Sequence, residues 1–390
     1  MRLVLSTFSL ASLGGSETYL LTLANGLERL GHEVTVYATE LGEMAIRARA
    51  GGTCVVGNED ALPAAPDALI VQDAVSSLEL ADRYPRVSQL FISHADAIDL
   101  QAPPQLPGLV AAVVVFNDRV QRRMRALAQP TEIVRMRQPV DIDWFAPSSS
   151  IHNTPQQLLV LSNYMRGQRR EILEGVCGEL GLRCHITGAH ASPAADPRPG
   201  ILAADIVVGY GRSILEAMAC GRAAYVYDHK GGDGWVTPGS YPLLEADGFG
   251  GRATPQPLDA ERLRSELTEY RPEMGIANRD LVVGMHSAHT HANDVVAVLR
   301  RLPRSARATG QPLRELARVT RRQWHAESRV AALMSENERL RSEVSRLHAL
   351  ADQHHAWGMG IFRTRRYRLG ATLVRPLDAL RNLAQKLRNR

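Results

Sequence analysis

Cysteine, lysine and aromatic residues are all scarce in this 390-residue chain, and each scarcity narrows what it can be. Its four cysteines, Cys54, Cys177, Cys184 and Cys220, form no CxxC pair and no metal-ligand spacing. That argues against a disulfide scaffold or zinc module and for reduced thiols in the cytosol. No stretch reaches the roughly 18–20 apolar residues that a membrane-spanning helix needs. The run Leu3–Leu5 follows Arg2 but is broken by Ser6, Thr7 and Ser9 and then by Gly14 and Gly15. A buried first strand entering a glycine turn fits it better than a secretory signal, so a cytoplasmic protein is expected. Lysine occurs only as Lys230 and Lys386, and the dominance of arginine reflects codon bias more than function. His286, His289 and His291 lack the four-residue spacing of a helical metal pair and no carboxylate or thiol pattern joins them. They are expected to be solvated or interdomain residues, and no metal is expected.

A hydrophobic share of 45% suits a globular protein, and the length suits two domains of about 150 residues with an appendage. Short β-branched runs alternate with amphipathic stretches, the pattern of a parallel sheet wrapped by helices. Strands are expected at residues 2–6, 33–38, 54–56, 68–71, 89–93, 112–116 and 132–135, with a helix over 17–30 that Gly31 stops. A polar linker from Pro147 to Pro155 precedes a second set at 158–161, 183–187, 205–208 and 223–227. The expected fold class is α/β, two Rossmann-like domains (1–147 and 156–302) facing a cleft. Ligands of such sheets bind beyond the carboxyl ends of the strands.

A second linker, Pro303 to Pro312, ends the globular part. Beyond it a heptad register places Leu316, Val330, Asn337, Val344 and Ala351 at a, and Val319, Ala326, Leu333, Leu340 and Leu347 at d, with Gln323 interrupting the a series. β-Branched a positions, leucine d positions and one Asn predict a parallel two-stranded coiled coil over 313–354, hence a homodimer, with a single amphipathic helix packed on the preceding domains as the alternative. Residues 361–390 carry nine basic residues and one acid, Asp378, so the tail holds +8 and the rest of the chain −3. Trp357, Phe362 and Tyr367 border it, and Leu369, Leu373, Leu377, Leu380 and Leu387 share one helical face. A basic amphipathic segment of this kind (355–390) fits an anionic membrane surface. Docking onto another assembly enzyme is the rival reading, and no nucleic-acid-binding fold accompanies the charge.

Several strings resemble bacterial family 4 glycosyltransferases, enzymes of the GT-B fold, over residues 1–302. GGSETYLLTLANGLERLGHEVTVYA resembles their opening segment, and implies that the loop at Gly14 and Gly15 faces the cleft between donor and acceptor. His94, in LFISHADAID, stands where the family has a histidine close to the donor sugar. VVVFNDRVQRRMRAL and RMRQPVDIDWFAP resemble the end of the first domain and the crossing into the second. ADIVVGYGRSILEAMACGRAAYVYD resembles the donor motif, in which one loop Glu, a Gly-aromatic-Gly turn and a second Glu eight residues after the first hold the nucleotide sugar. Gly209, Tyr210, Gly211 and Glu216 match it. The resemblance implies that Glu216 accepts hydrogen bonds from the ribose and that the amides of Gly211, Arg212 and Ser213 hold the diphosphate at a helix start.

Two positions depart from the family pattern. Val208 replaces the first Glu, and LVLSNYMRGQRREIL has no lysine where the family has a Gly-Arg followed by Lys. Arg169 and Arg170, with Arg166, are the candidates to neutralise the diphosphate. The segment 209–251 also resembles the donor half of the N-acetylglucosaminyltransferase that makes lipid II. Under that resemblance Asp233 and nearby backbone groups recognise the sugar, with Trp235 beside them. His94 and Glu17 are the candidate catalytic groups. The resemblance implies a nucleotide-diphosphate sugar as co-substrate, no resident cofactor, and a glycan or lipid-linked acceptor in bacterial surface polysaccharide synthesis, at the inner face of the plasma membrane. A sugar-nucleotide epimerase and a degenerate scaffold working through its coiled coil are the alternatives.

Overall fold

The computed structural model describes every residue except 95–97, 128–130, 189–195, 256–258, 304–311 and 389–390. Most of the expected 303–312 linker therefore lies outside the described residues. Seven parallel strands form the first sheet, in the order Cys54–Val56, Glu33–Tyr37, Arg2–Ser6, Ala68–Val71, Gln89–Ser93, Ala112–Val115 and Glu132–Arg135. Continuous apolar runs such as ALIV and AVVV, buried at every residue, are what a sheet covered on both faces requires. The helix Gly15–Arg29 covers one face through Tyr19, Leu20, Leu23 and Leu27.

Five strands form the second sheet, in the order Arg183–Thr187, Gln157–Leu161, Ile206–Gly209, Ala223–Asp228 and Gly231–Trp235. The last runs antiparallel to its neighbour, with a register shift between Val226 and Tyr227. The sequence does not announce this strand, because GGDGW has little β-propensity of its own. Its short connection to the preceding strand and its edge position make it.

The helix Ala288–Arg301 follows the second sheet in sequence but returns to the first core, where Ala292, Val295 and Leu299 pack with Leu20, Leu23 and Leu27. The contact with helix Gly15–Arg29 is close: a Cβ on Gly26 would lie 3.0 Å from the Ala292 Cβ. Two ionic links also join the halves. Buried Asp247 pairs with Arg119, and Arg135 Nη2 donates to Glu245 Oε1 (2.9 Å).

The chain separates into two units, Met1–Arg321 and Arg322–Arg390. A helix Leu313–Arg363 begins within the first unit, where Leu313 and Ala317 are buried against Leu78, Ala81 and Leu109. Arg321 pairs with buried Glu79. In the second unit, that helix exposes Val330, Leu333, Leu340, Val344 and Leu347, and Arg365–Arg388 exposes Leu369, Leu373, Leu377, Leu380 and Leu387. No described helix is long and apolar enough to cross a membrane.

Candidate functional site

The candidate site is assembled at the carboxyl ends of the second sheet and at the two helix starts beneath them. Gly209 ends its strand against Leu161, and a Cβ there would meet the Leu161 carbonyl oxygen at 2.9 Å and Ser213 Oγ at 2.4 Å. Glycine is required at this spot by close approach. Ser213 Oγ accepts from the Tyr210 amide (3.1 Å) and donates to the Tyr210 carbonyl (2.8 Å), fixing the turn. Gly211 has φ +57°, a left-handed conformation that glycine adopts cheaply, and opens the helix Arg212–Ala219. Its own amide donates to the Phe249 carbonyl (2.8 Å). Of the three amides expected to hold a diphosphate, those of Arg212 and Ser213 belong to the helix's first turn, where no intrahelical acceptor exists.

Arg212 gathers several candidates around itself. Its Nε donates to Glu216 Oε1 (2.9 Å), Nη1 to the Pro139 carbonyl (3.1 Å) and Nη2 to Thr22 Oγ1 on the first half's opening helix (3.0 Å). Burial raises the Glu216 carboxyl, and the Arg212 charge opposes that shift. His94 is partly exposed, but its Nε2 is enclosed without a partner among the described residues. Its ring lies 4.9 Å from Tyr19 and 5.3 Å from Phe116. Desolvation, with the charge of Arg212 and His291 added, pushes His94 down to about 3, so it is a neutral imidazole at physiological pH.

Gly14 is the N-cap of the helix Gly15–Arg29, in extended conformation. The Glu17 carboxylate folds back over it, since a Cβ on Gly14 would lie 2.2 Å from Glu17 Oε2. Ser16 Oγ donates to the same oxygen (3.0 Å). Burial raises Glu17, against the hydrogen bonds from its own amide and from Ser16. A Cβ on Gly15 would meet nothing within 4 Å.

Other predicted residues are engaged elsewhere. Arg170 pairs with Glu174 on an exposed helix face (2.9 Å), and Arg169 stacks 5.7 Å from the Tyr227 ring centre. Asp233 is buried and accepts from the amides of Ala253 (3.2 Å) and Thr254 (2.9 Å) and from Thr254 Oγ1 (3.0 Å), so both its oxygens hold a turn. Trp235 donates Nε1 to the Glu266 carbonyl (2.7 Å). Val208 is fully buried within its strand.

His286 and His291 are buried between the halves. His286 Nε2 lies 2.9 Å from Tyr241 Oη and His291 Nε2 3.0 Å from Tyr19 Oη. Among the described residues no group of three His, Cys, Asp or Glu side chains is arranged to hold a metal ion.

Sequence reasoning missed an aromatic cluster at the same sheet edge. Tyr164, Tyr210 and His229 follow three adjacent strands, with ring centres 4.5 Å apart for Tyr164–His229, 5.4 Å for Tyr210–His229 and 6.0 Å for Tyr164–Tyr210. Beside them buried Asp228 accepts from Ser162 Oγ (2.6 Å). The only signal in the sequence is that each aromatic lies one to three residues past an apolar run.

No protein-family profile and no curated protein matches the chain. Solved structures do match its fold. A glycosyltransferase from Rickettsia africae ESF-5 superposes with a TM-score of 0.55 at 14% identity, over 77% of this chain and 98% of its own. Anabaena Alr3699/HepE, solved in complex with UDP and glucose, gives 0.51 at 13% identity, over 77% of this chain and all of its own. The chain has the GT-B fold of these glycosyltransferases. A GT-B fold was expected from the motifs quoted above.

Proposed function

We propose that the chain transfers a sugar from a nucleoside-diphosphate donor to a glycan or lipid-linked acceptor in bacterial surface polysaccharide synthesis. The observation that carries this is the helix Arg212–Ala219, whose first-turn amides open beside the buried Glu216–Arg212 pair. The amides of Arg212 and Ser213 receive the diphosphate, Glu216 accepts from the ribose, and the Tyr164, Tyr210 and His229 rings take the base. An acceptor hydroxyl attacks the anomeric carbon as the bond to the diphosphate breaks with its electron pair. Helix-start amides and the Arg212 guanidinium stabilise the charge growing on the leaving group. For an inverting reaction Glu17 takes the hydroxyl proton, since its raised carboxyl lies nearer neutral pH than His94. Neutral His94 then orients a sugar hydroxyl. The donor is a co-substrate, with no resident cofactor or metal and no nucleic-acid partner in this reading.

The exposed leucines and the +8 charge of the tail suit contact with anionic lipid, which supports reading the protein as a cytoplasmic homodimer at the inner face of the plasma membrane. Incubating the protein with a panel of nucleotide sugars and lipid-linked acceptors tests the reading. Nucleoside diphosphate released only when an acceptor is present supports it. Conversion of the donor without acceptor favours the epimerase alternative, and no turnover together with no nucleotide binding favours the scaffold, for which buried Val208 is the argument.

A further inference from the structure

The helix Leu313–Arg363 carries two different apolar faces. Leu313 and Ala317 are buried on the first unit, whereas the heptad stripe beyond Arg322 is uncovered. Val330, Leu333, Leu340, Val344 and Leu347 are each 48–60% exposed, with Asn337 among them. The residues flanking that stripe identify what covers it. In a parallel, in-register pair each g position faces the e′ position five residues later on the other chain. Here those pairs are Arg322 with Glu327, Glu336 with Arg341, and Glu343 with His348. Two join opposite charges and the third sets a carboxylate against an imidazole; none opposes like charges. The fourth, Arg329 with Met334, is neutral in this sense.

The antiparallel pairing with the same apolar overlap sets Val330 opposite Leu347 and Asn337 opposite Leu340. It brings Glu336 beside Glu343 of the other chain twice and leaves each Asn337 amide against leucine. Like charges and an unpartnered buried amide both oppose it. We propose that the helix closes onto a second copy of this chain as a parallel, in-register coiled coil, selected by Asn337 facing itself and by the three complementary pairs. Glu336 and Glu343 already hold Arg339 (2.7 Å) and Arg346 (2.6 Å) on their own helix. A carboxylate accepts about four hydrogen bonds, so each can take the facing cation as well. Parallel pairing sends both +8 tails from the same end of the coil, doubling the charge offered to one surface. This last consequence rests on the membrane reading above; the pairing itself does not.

The test uses the full chain with Cys54→Ser, which removes the exposed native thiol. Val344→Cys should form a disulfide-linked dimer under mild oxidation. A mixture of separate Leu333→Cys and Val344→Cys chains should give only the two homodimeric products. A mixed Leu333–Val344 product, or a monomer by light scattering at tens of micromolar, would overturn the proposal. Charge reversal supplies a second arm. Glu336→Arg with Glu343→Arg should weaken self-association at least tenfold, and mixing with Arg341→Glu, His348→Glu should restore pairing as a heterodimer. Unchanged self-association in both variants would refute charge selection. Nucleotide titration on the same samples reports separately on the donor site, so a failed coil and a failed enzyme reading are distinguished.

Discussion

The two halves each start a helix from a glycine turn at the carboxyl edge of a parallel sheet, yet they treat that helix start differently. In the first, the Glu17 carboxylate lies over Gly14 and accepts from its own amide, so a carboxyl group occupies the first turn. In the second, Gly211 is held by the Phe249 carbonyl and no acidic residue stands in the first turn of Arg212–Ala219. A helix start with a carboxyl group in its first turn offers little to an anion, while one with an arginine at its first position and no acid attracts it. Under the proposed function the same secondary structure serves two ends: the first half would supply a carboxyl and an imidazole, and the second the anion cradle.

The largest test of that division is acid. His286 and His291, buried between the halves, are pushed by desolvation down to about 4 and about 3. Both lie below the unfolded value of about 6.5, so the unfolded chain binds protons first and stability falls as pH drops below about 6.5. Each fully buried histidine loses roughly 1.4 kcal/mol per pH unit there. Denaturant midpoints between pH 7 and 5 should show a loss of several kcal/mol, reduced in His291→Gln. Next, Asp247→Ala removes the carboxylate that pairs with Arg119 and releases the amides of Gly250 and Arg252; unfolding stability should drop by about 3 kcal/mol. A loss under 1 kcal/mol would mean the two halves do not depend on that link.

Smaller effects sharpen the comparison of the two glycines. Gly211→Ala places an alanine at φ +57° and should cost about 1 kcal/mol in stability with a clear loss of nucleotide affinity. Gly14→Ala is backbone-compatible and displaces only the flexible Glu17 side chain. It should leave nucleotide affinity within about twofold, or roughly 0.4 kcal/mol, while altering the pH profile of transfer. Equal effects of both substitutions on nucleotide binding would erase the distinction.

Much of the scaffold was legible because buried parallel strands write themselves as short apolar runs: Arg2–Ser6, Ala68–Val71 and Gln89–Ser93 appear where expected. The strand Gly231–Trp235 was not, since its pairing is dictated by its neighbour and not by its glycines. The helix Ala288–Arg301 looks like any amphipathic helix, and nothing local says which core it joins. At the site, the Gly-Tyr-Gly turn and Glu216 stood out through resemblance. The use of both Asp233 oxygens by Ala253 and Thr254, and the meeting of Tyr164 with His229, depend on chain segments about 20 and 65 residues apart in sequence. No local pattern encodes such pairings.

In the proposed function the helix start at Arg212 and the Glu216 carboxyl together bind a nucleoside diphosphate. Calorimetric titration with UDP, GDP, TDP and ADP, on the wild type and on Glu216→Ala, tests it directly. Saturable binding of one of them is expected, weakened by about tenfold or more in the variant, the size of a lost charged hydrogen bond. A folded protein that binds none of the four, or binds one equally well without Glu216, would contradict it.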